Sequence, residues 1–130
     1  PNPDWGATKT WVINSLGLPD NDTDRGKNMG TVIAYDSPGE NVIVSKGYYF
    51  DNNEKLEIVA VLINTTMKAE LETFLSERYW MYNSTAGTEG DLWNHPHIKY
   101  FTDGLMSNAT TKYVTLMDYG TSCGVYYQPK

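Results

Sequence analysis

The sequence predicts an α+β domain in which two helices pack on one antiparallel β-sheet, in a helix-then-meander order. Three observations predict this class. The chain opens with a short helix marked at both ends, three strand-like segments follow between residues 31 and 63, and a second amphipathic helix follows those strands. The 130 residues, 40% of them hydrophobic, suffice for one domain with its own core, so we interpret residues 1–130 as a single domain.

The first helix is predicted over Lys9–Leu16. Thr8 precedes it as the N-cap, because its hydroxyl can accept a hydrogen bond from a first-turn amide. Gly17 ends it, because glycine adopts a left-handed conformation without a Cβ clash, and Leu18 is then expected to contact Ile13. The apolar residues at helical spacing form the expected buried stripe: Val12, Ile13 and Leu16.

The meander is predicted as strands over 31–36, 41–51 and 54–63, after a polar connection from Asp20 to Gly30. The turn Asp51–Glu54 contains two asparagines, which tolerate the positive φ that a tight hairpin needs. In the third strand, alternate residues on both faces are mostly apolar. This strand is therefore expected to be central and covered on both sides.

A second helix, capped by Thr65 or Thr66 and ending near Tyr79, follows the third strand. Its apolar side chains recur at helical spacing, namely Met67, Leu71, Phe74, Leu75 and Tyr79, and its predicted solvent side carries Lys68, Glu70, Glu72, Ser76 and Glu77. The rest is predicted as a short strand at 80–83, a long loop at 84–96, and strands at 97–102, 111–118 and 123–128.

The first 63 residues resemble the small lipoprotein domain of the SmpA/OmlA (BamE) type. The resemblance rests on a helix pattern followed by an aromatic-Phe-Asp segment and a leucine after a polar turn, carried here by Gly6, Thr8, Val12, Leu16, Gly17, Pro19, Tyr49, Phe50, Asp51 and Leu56. The repeats of the β-lactamase inhibitor protein have a similar layout. Trp11 departs from the family, which usually has Glu or Gln there, and residues after Ile63 are not covered. The resemblance implies an exported, lipid-anchored bacterial protein that contacts other proteins.

Charge and cysteine content narrow the partners and the compartment. The net charge of −6 disfavours nucleic acid and anionic lipid as partners. No apolar run reaches the ~20 residues that span a bilayer. Because the chain has one cysteine, it cannot form an internal disulfide, and this favours an exported bacterial protein over a secreted eukaryotic one. In a secreted eukaryotic protein the four Asn-x-Ser/Thr sequons would be acceptor sites for N-glycosylation. We therefore expect a periplasmic or cell-surface lipoprotein whose anchor lies outside this chain, with residues 1–5 as the remnant of a tether.

Two patterns could carry nucleophilic chemistry. Gly120–Gly124 fits G-x-S-x-G, but no helix or histidine follows Ser122, so a hairpin turn is the preferred interpretation. Cys123 would need a base to become a thiolate, and a small buried cysteine is the preferred interpretation there.

Two further groups could hold a cation. His95 and His97 with Asp91 form a weak metal candidate that lacks the ligand number of a zinc site. The alternating acids Asp20, Asp22 and Asp24 lack the glycine and glutamate of a calcium loop. No cofactor is predicted.

The aromatic residues are the preferred binding candidates. In the adjacent pairs Tyr48/Tyr49 and Tyr126/Tyr127, successive side chains of a strand point to opposite faces, so one ring of each pair faces away from the other. Exposed Tyr and Trp side chains anchor protein interfaces and stack on sugars. The predicted binding residues are Trp80, Tyr82, Trp93, Tyr113, Tyr126 and Tyr127.

The function predicted from the sequence is a non-enzymatic module that binds a cell-envelope protein or an extracellular ligand. A first alternative is a carbohydrate-binding or sugar-processing accessory protein. A second alternative is a small hydrolase that uses Ser122 or Cys123.

Overall fold

In the computed structural model the described residues are 3–37, 43–64, 68–78, 80–81 and 113–129. They form two helices and seven strands in this order: α1 (Lys9–Leu16), β1 (Asn21–Asp24), β2 (Thr31–Asp36), β3 (Ile43–Phe50), β4 (Leu56–Asn64), α2 (Lys68–Arg78), β5 (Trp80–Met81), β6 (Tyr113–Asp118) and β7 (Ser122–Gln128).

All seven strands belong to one sheet, in the order β1-β2-β3-β4-β7-β6-β5. Neighbouring strands in this order are antiparallel, except the last pair, in which the two-residue β5 runs parallel to β6. Strand β7 returns to the middle of the sheet and pairs with β4 from Val59↔Tyr127 to Asn64↔Ser122. The end of the chain therefore completes the same sheet that the meander begins.

The predicted fold class, two helices packed on one antiparallel sheet, is wrong, and α+β is a poor description of this fold. The described core is built mainly from side chains of the sheet, and α1 buries Val12 alone completely. Only Val12, Leu71 and Leu75 of the described core come from helices. The physical reason is that the sheet has seven strands, whose neighbouring rows of side chains supply most of the described core, whereas both helices are short.

Helix α1 has the predicted bounds and N-cap. The Thr8 hydroxyl accepts a hydrogen bond from the Trp11 amide at 3.1 Å, and Gly17, at φ +95°, donates its amide to the Ile13 carbonyl at 2.8 Å. The expected contact between Leu18 and Ile13 is wrong, because Leu18 is 88% exposed. Extended backbone at Gly17, with ψ −178°, directs the chain away from the helix.

Three other local expectations are wrong. Residues 21–24, predicted as part of a polar connection, form the edge strand β1. In the β3–β4 turn the positive φ of 59° falls on Glu54 rather than on an asparagine, while Asp51 accepts amide hydrogen bonds from Asn53 and Lys55. Glu72, placed on the solvent side of the second helix, is buried. The caps at 65–66 and the strand at 97–102 lie outside the described residues.

The start of the described chain lies against the body of the protein. Trp5 packs against the core, and the Gly6 amide donates a hydrogen bond to the Leu56 carbonyl at 2.9 Å. On the edge strand, Asp22 accepts from Lys9 of α1 at 2.9 Å. This ion pair places α1 beside the core face of the sheet, because Asp22 is paired with the buried Ile33 in the register.

The strand register assigns each side chain to one of two faces. On the core face, Ile33, Tyr48, Val59 and Tyr127 form one row across four strands, and all four are buried. On the other face, which we call the open face because the core cluster of the described residues lies on the opposite side, the next row consists of Ala34, Gly47, Ala60 and Tyr126. Among the described elements, both helices contribute to the core face.

Candidate functional site

A depression of about 250 Å³ lies on the open face, and we call it the tyrosine trough. It is lined by Val32, Ala34, Ser45, Gly47, Tyr49, Ala60, Val61, Leu62, Gly124 and Tyr126. Its floor is low because three residues with little or no side chain, Ala34, Gly47 and Ala60, stand side by side on neighbouring strands. The lining is mostly apolar and carries no charged side chain.

Two tyrosine rings lie over two glycines of the sheet. A Cβ atom on Gly47 would lie 3.3 Å from Cε1 of Tyr49, and one on Gly124 would lie 2.8 Å from Cε2 of Tyr126. A glycine inside a strand weakens it, because glycine has no side chain to pack and loses more backbone entropy on folding than other residues. Each ring covers the glycine two residues before it on the same face, so the glycines make room for the rings and the rings restore the lost packing.

The Tyr49 ring is held from two sides. The Arg25 guanidinium lies 5.1 Å from the ring centroid, and the Tyr126 ring packs edge-to-face against Tyr49 with centroids 6.1 Å apart. Arg25 itself donates to the Phe50 carbonyl at 3.0 Å and to the Glu57 carboxylate at 2.6 Å. These contacts fix the position of Tyr49, and a rigid aromatic side chain loses little conformational entropy when a ligand binds.

Tyr126 connects this wall of the trough to the β6–β7 turn. Its hydroxyl forms a hydrogen bond with the hydroxyl of Tyr119, which lies in that turn and is 49% exposed. The turn is closed by the Tyr119 amide, which donates to the Ser122 carbonyl at 2.9 Å. Arg25, Tyr49, Tyr126 and Tyr119 thus form a continuous row of contacts across the open face.

Burial, the hydrogen bond to Tyr119 and the neighbouring Tyr49 and Tyr119 hydroxyls raise the pKa of Tyr126. The neutral phenol is therefore favoured in the folded state, while an unfolded tyrosine ionises near pH 10. This contribution to stability is complete below pH ~10 and is lost as the pH rises further, because only the unfolded chain then releases the proton.

We expect phenolate absorbance of the folded protein near pH 10 to be unchanged by Tyr126→Phe, because Tyr126 stays protonated there. The midpoint of urea unfolding should also fall less steeply above pH ~10 in this variant than in the wild type. A spectrophotometric titration and urea unfolding at several pH values measure the two effects. A lower phenolate absorbance in the variant than in the wild type at this pH would contradict the raised pKa.

The predicted binding residues fall in different places. Tyr126 is in the tyrosine trough, whereas Tyr127 is buried in the core. The backbones of Trp80 and Tyr113 pair at the β5–β6 edge of the sheet. Tyr82 and Trp93 lie outside the described residues. The sheet therefore brings Tyr126 together with Tyr49 and not with Tyr127, and the binding role of all these side chains stays a prediction.

The trough and the contacts around it include three residues that are not among the predicted binding residues. Tyr49 lines the trough, Arg25 contacts the Tyr49 ring, and Tyr119 contacts Tyr126. A sequence pattern does mark the two tyrosines of the trough, since each stands two residues after a glycine on a predicted strand, in Gly47-Tyr48-Tyr49 and in Gly124-Val125-Tyr126. Arg25 and Tyr119 belong to turns, and their contacts depend on how distant strands pair.

The nucleophile candidates lie in a hairpin. Ser122 is the first residue of β7, directly after a turn with Gly120 at φ +86°, and a strand rather than a helix follows it. Cys123 is buried, on the core face of the sheet. The described backbone around Ser122 therefore differs from the strand-to-helix turn on which nucleophilic serines of this pattern depend.

The cation candidates are separated or lie elsewhere. Asp22 pairs with Lys9, Asp20 accepts from the Asp36 amide, and Asp24 accepts from the Gly26 amide. Within the described ranges, no group of three His, Cys, Asp or Glu side chains is placed to hold a metal ion. The candidate residues Asp91, His95 and His97 lie outside those ranges.

Comparison with known proteins found no relative of this chain. No protein-family model, curated protein or solved structure matches the chain. In the part of the chain that the structure describes, no helix has the length and apolar character required to cross a lipid bilayer.

Proposed function

We propose that this protein is a non-enzymatic binding module that holds an uncharged, partly apolar group of a protein partner in the tyrosine trough. The observation that carries this proposal is the pair of rings, Tyr49 and Tyr126, held beside a floor of small residues on a sheet face opposite the core. Aromatic rings fixed beside a concave apolar surface are typical anchors of protein interfaces.

The electrostatics of the trough support an uncharged group. Arg25, the cation that contacts the Tyr49 ring, is ion-paired with Glu57, so the trough presents no unpaired positive charge from that side chain. A ligand charge would lose its hydration on this apolar lining without gaining a partner there. An aliphatic or aromatic side chain of a protein partner meets this requirement.

A sugar is the second candidate, and one observation favours it. The trough combines two tyrosine rings with the Ser45 side chain, and apolar ring faces with nearby hydroxyl groups suit the apolar face and hydroxyls of a sugar ring. In both cases the protein acts by binding.

The substitution Ala34→Arg tests the proposal, because it places a long charged side chain on the floor of the trough without altering the core face. The full chain is screened on a random peptide display library and on a glycan array, and the Kd of each ligand recovered is then measured for both proteins. We expect Ala34→Arg to weaken binding at least ~10-fold, which corresponds to about 1.4 kcal/mol.

The matched control is Asn53→Arg, which makes the same charge change in the exposed β3–β4 turn and should leave Kd unchanged. Peptide ligands sensitive to Ala34→Arg support the leading proposal, and glycans with this sensitivity support the second. Ligands that bind Ala34→Arg as tightly as wild type, or no ligand in either screen, would contradict binding through the trough.

The compartment is also a proposal. We infer that the protein is exported to the bacterial cell envelope and held there by a lipid anchor, which the resemblance of residues 5–63 to small envelope lipoproteins supports. Subcellular fractionation of the native host, followed by detection of this chain, tests it. Recovery with the envelope membranes is expected, and recovery with the cytoplasmic proteins would contradict it.

A further inference from the structure

We propose that Tyr119 and Tyr126 form an oxidative modification site, at which a peroxide-dependent one-electron oxidant joins the two rings as dityrosine. The two hydroxyls are in hydrogen-bond contact. The Cε2 carbons of both rings, which lie next to the hydroxyl-bearing carbons, are each 2.8 Å from the single point where a Cβ on Gly124 would stand. These are the carbons that bond in dityrosine.

Glycine at position 124 is what lets the rings meet. It is buried on the open face, directly beneath both tyrosines, and any side chain there would occupy the space that the two Cε2 atoms share. The two residues belong to one hairpin, Tyr119 in its turn and Tyr126 on β7. The backbone pairing of β6 with β7 and the closed turn therefore keep the backbones of the two tyrosines close together.

Exposure gives the two rings different roles. Tyr119 is half exposed and is the ring that a large oxidant can reach, while Tyr126 is less accessible. Oxidation of Tyr119 removes one electron and its phenolic proton and leaves a phenoxyl radical. The contact between the hydroxyls then allows the hydrogen atom of Tyr126 to pass to the Tyr119 oxygen, so that the inner ring is oxidised through the outer one.

One molecule of H₂O₂ accepts all the electrons and protons that the coupling releases. A second one-electron oxidation of Tyr119 produces two neighbouring radicals, whose unpaired spin lies partly on the carbons beside the oxygen. A carbon–carbon bond forms between the two Cε2 atoms, and the two ring hydrogens move to the oxygens and restore both phenols. Two hydrogen atoms leave the protein in total, and they reduce one H₂O₂ to two waters.

Other described tyrosine contacts are less suited to this coupling. Tyr35 and Tyr48 meet edge-to-face at 82°, and the Tyr35 hydroxyl donates to the Gly17 carbonyl at 2.8 Å. Tyr49 and Tyr126 also meet edge-to-face, at 69°. Contact between hydroxyls together with adjacent Cε2 carbons is thus a property of the Tyr119–Tyr126 pair. The cross-link would tie the β6–β7 turn to β7 and hold Tyr126 in place beside Tyr49.

The test treats the dilute full chain with a haem peroxidase and one equivalent of H₂O₂ and isolates the monomer. We expect dityrosine fluorescence and a mass lower by two hydrogen atoms. Cys123 lies between the two tyrosines and is the single cysteine, so cysteine-specific cleavage of the unfolded, reduced product locates the bond. The two pieces should stay joined when the bond connects Tyr126 or Tyr127 to a tyrosine before Cys123, and the variants below identify the two tyrosines.

Three variants complete the experiment. Tyr119→Phe and Tyr126→Phe should each lose the fluorescence of the monomer, whereas Tyr35→Phe, which removes a hydroxyl from the other pair, should keep it. Circular dichroism and the urea midpoint establish that each variant is folded. Fluorescent monomer from Tyr119→Phe, separated pieces after cleavage, or no dityrosine in the folded wild type would each overturn the proposal.

Discussion

Substitution of Gly30 by alanine is expected to lower the free energy of unfolding by about 3–4 kcal/mol. Gly30 has φ +87°, where a Cβ costs about 1–2 kcal/mol in any residue other than glycine. The added carbon would also lie 2.0 Å from the Phe50 carbonyl oxygen and 2.5 Å from that of Asp51. These are backbone atoms of β3 and its turn, which cannot rotate away, so the strands must separate.

Gly120→Ala is the matched control, because Gly120 has nearly the same φ, +86°, and no heavy atom lies within 4 Å of the added Cβ. It should cost only the conformational term, about 1–2 kcal/mol. Equilibrium urea unfolding of both variants at neutral pH measures the difference. Equal losses of stability would show that the clash of the added Cβ with β3 contributes nothing to the cost of Gly30→Ala.

Replacement of Phe50 by alanine should destabilise the protein by about 3–5 kcal/mol, the range for loss of a fully buried aromatic ring. Phe50 is completely buried, and it stands at the end of β3 where the register with β4 shifts. This shift turns Leu56 into the core beside Phe50. A void here is therefore bordered by two hydrogen-bonded strands, which limits partial collapse. Urea unfolding measures the loss.

Tyr49→Ala is the comparison for this substitution, since it removes a ring from the neighbouring residue on the opposite face. We expect a loss of about 1–2 kcal/mol, from the contacts with Arg25 and Tyr126. If Phe50→Ala does not fold, Phe50→Leu, with an expected cost of roughly 1–2 kcal/mol, provides the measurement. A larger loss from Tyr49→Ala than from Phe50→Ala would contradict the assignment of the two faces.

Local signals in the sequence predicted individual elements well. The cap at Thr8 and the stop at Gly17 bound α1 correctly, and the alternation in the meander located β2, β3 and β4. These features depend on residues within a few positions of one another, such as a hydroxyl three residues before an amide. Edge strand β1 escaped prediction because its four residues, Asn21–Asp24, are all exposed and polar and carry no hydrophobic alternation.

The fold class was not predictable in the same way. Nothing in residues 122–128 indicates that β7 pairs with β4 rather than with a second sheet, because a strand's partner depends on which distant surfaces remain unpaired. A single antiparallel sheet was predicted, but only this pairing places β7 in its middle, between β4 and β6. The helices contribute a minor share of the described core. The predicted share of the helices in the core was therefore too large.

The candidate site shows the same division between local and distant effects. Alternation predicted that one ring of Tyr126 and Tyr127 would leave the core, but it could not predict which one. The register decided this, because Val59↔Tyr127 places Tyr127 beside a buried valine and leaves Tyr126 opposite Ala60. Only this pairing brings Tyr126 to Tyr49, which is 77 positions earlier in the chain.

The amino-acid sequence by itself determined the helix ends, the strands of the meander, the acidic surface charge and the abundance of tyrosine. Each of these follows from composition or from contacts between near neighbours. The tertiary structure alone decided that β7 lies between β4 and β6, that Arg25 and Tyr119 join Tyr49 and Tyr126, and that a floor of small residues lies beside them. The reason is that antiparallel pairing shifts all side chains between faces when it slips by one residue, so a site spread over β2, β3, β4 and β7 exists only in one register.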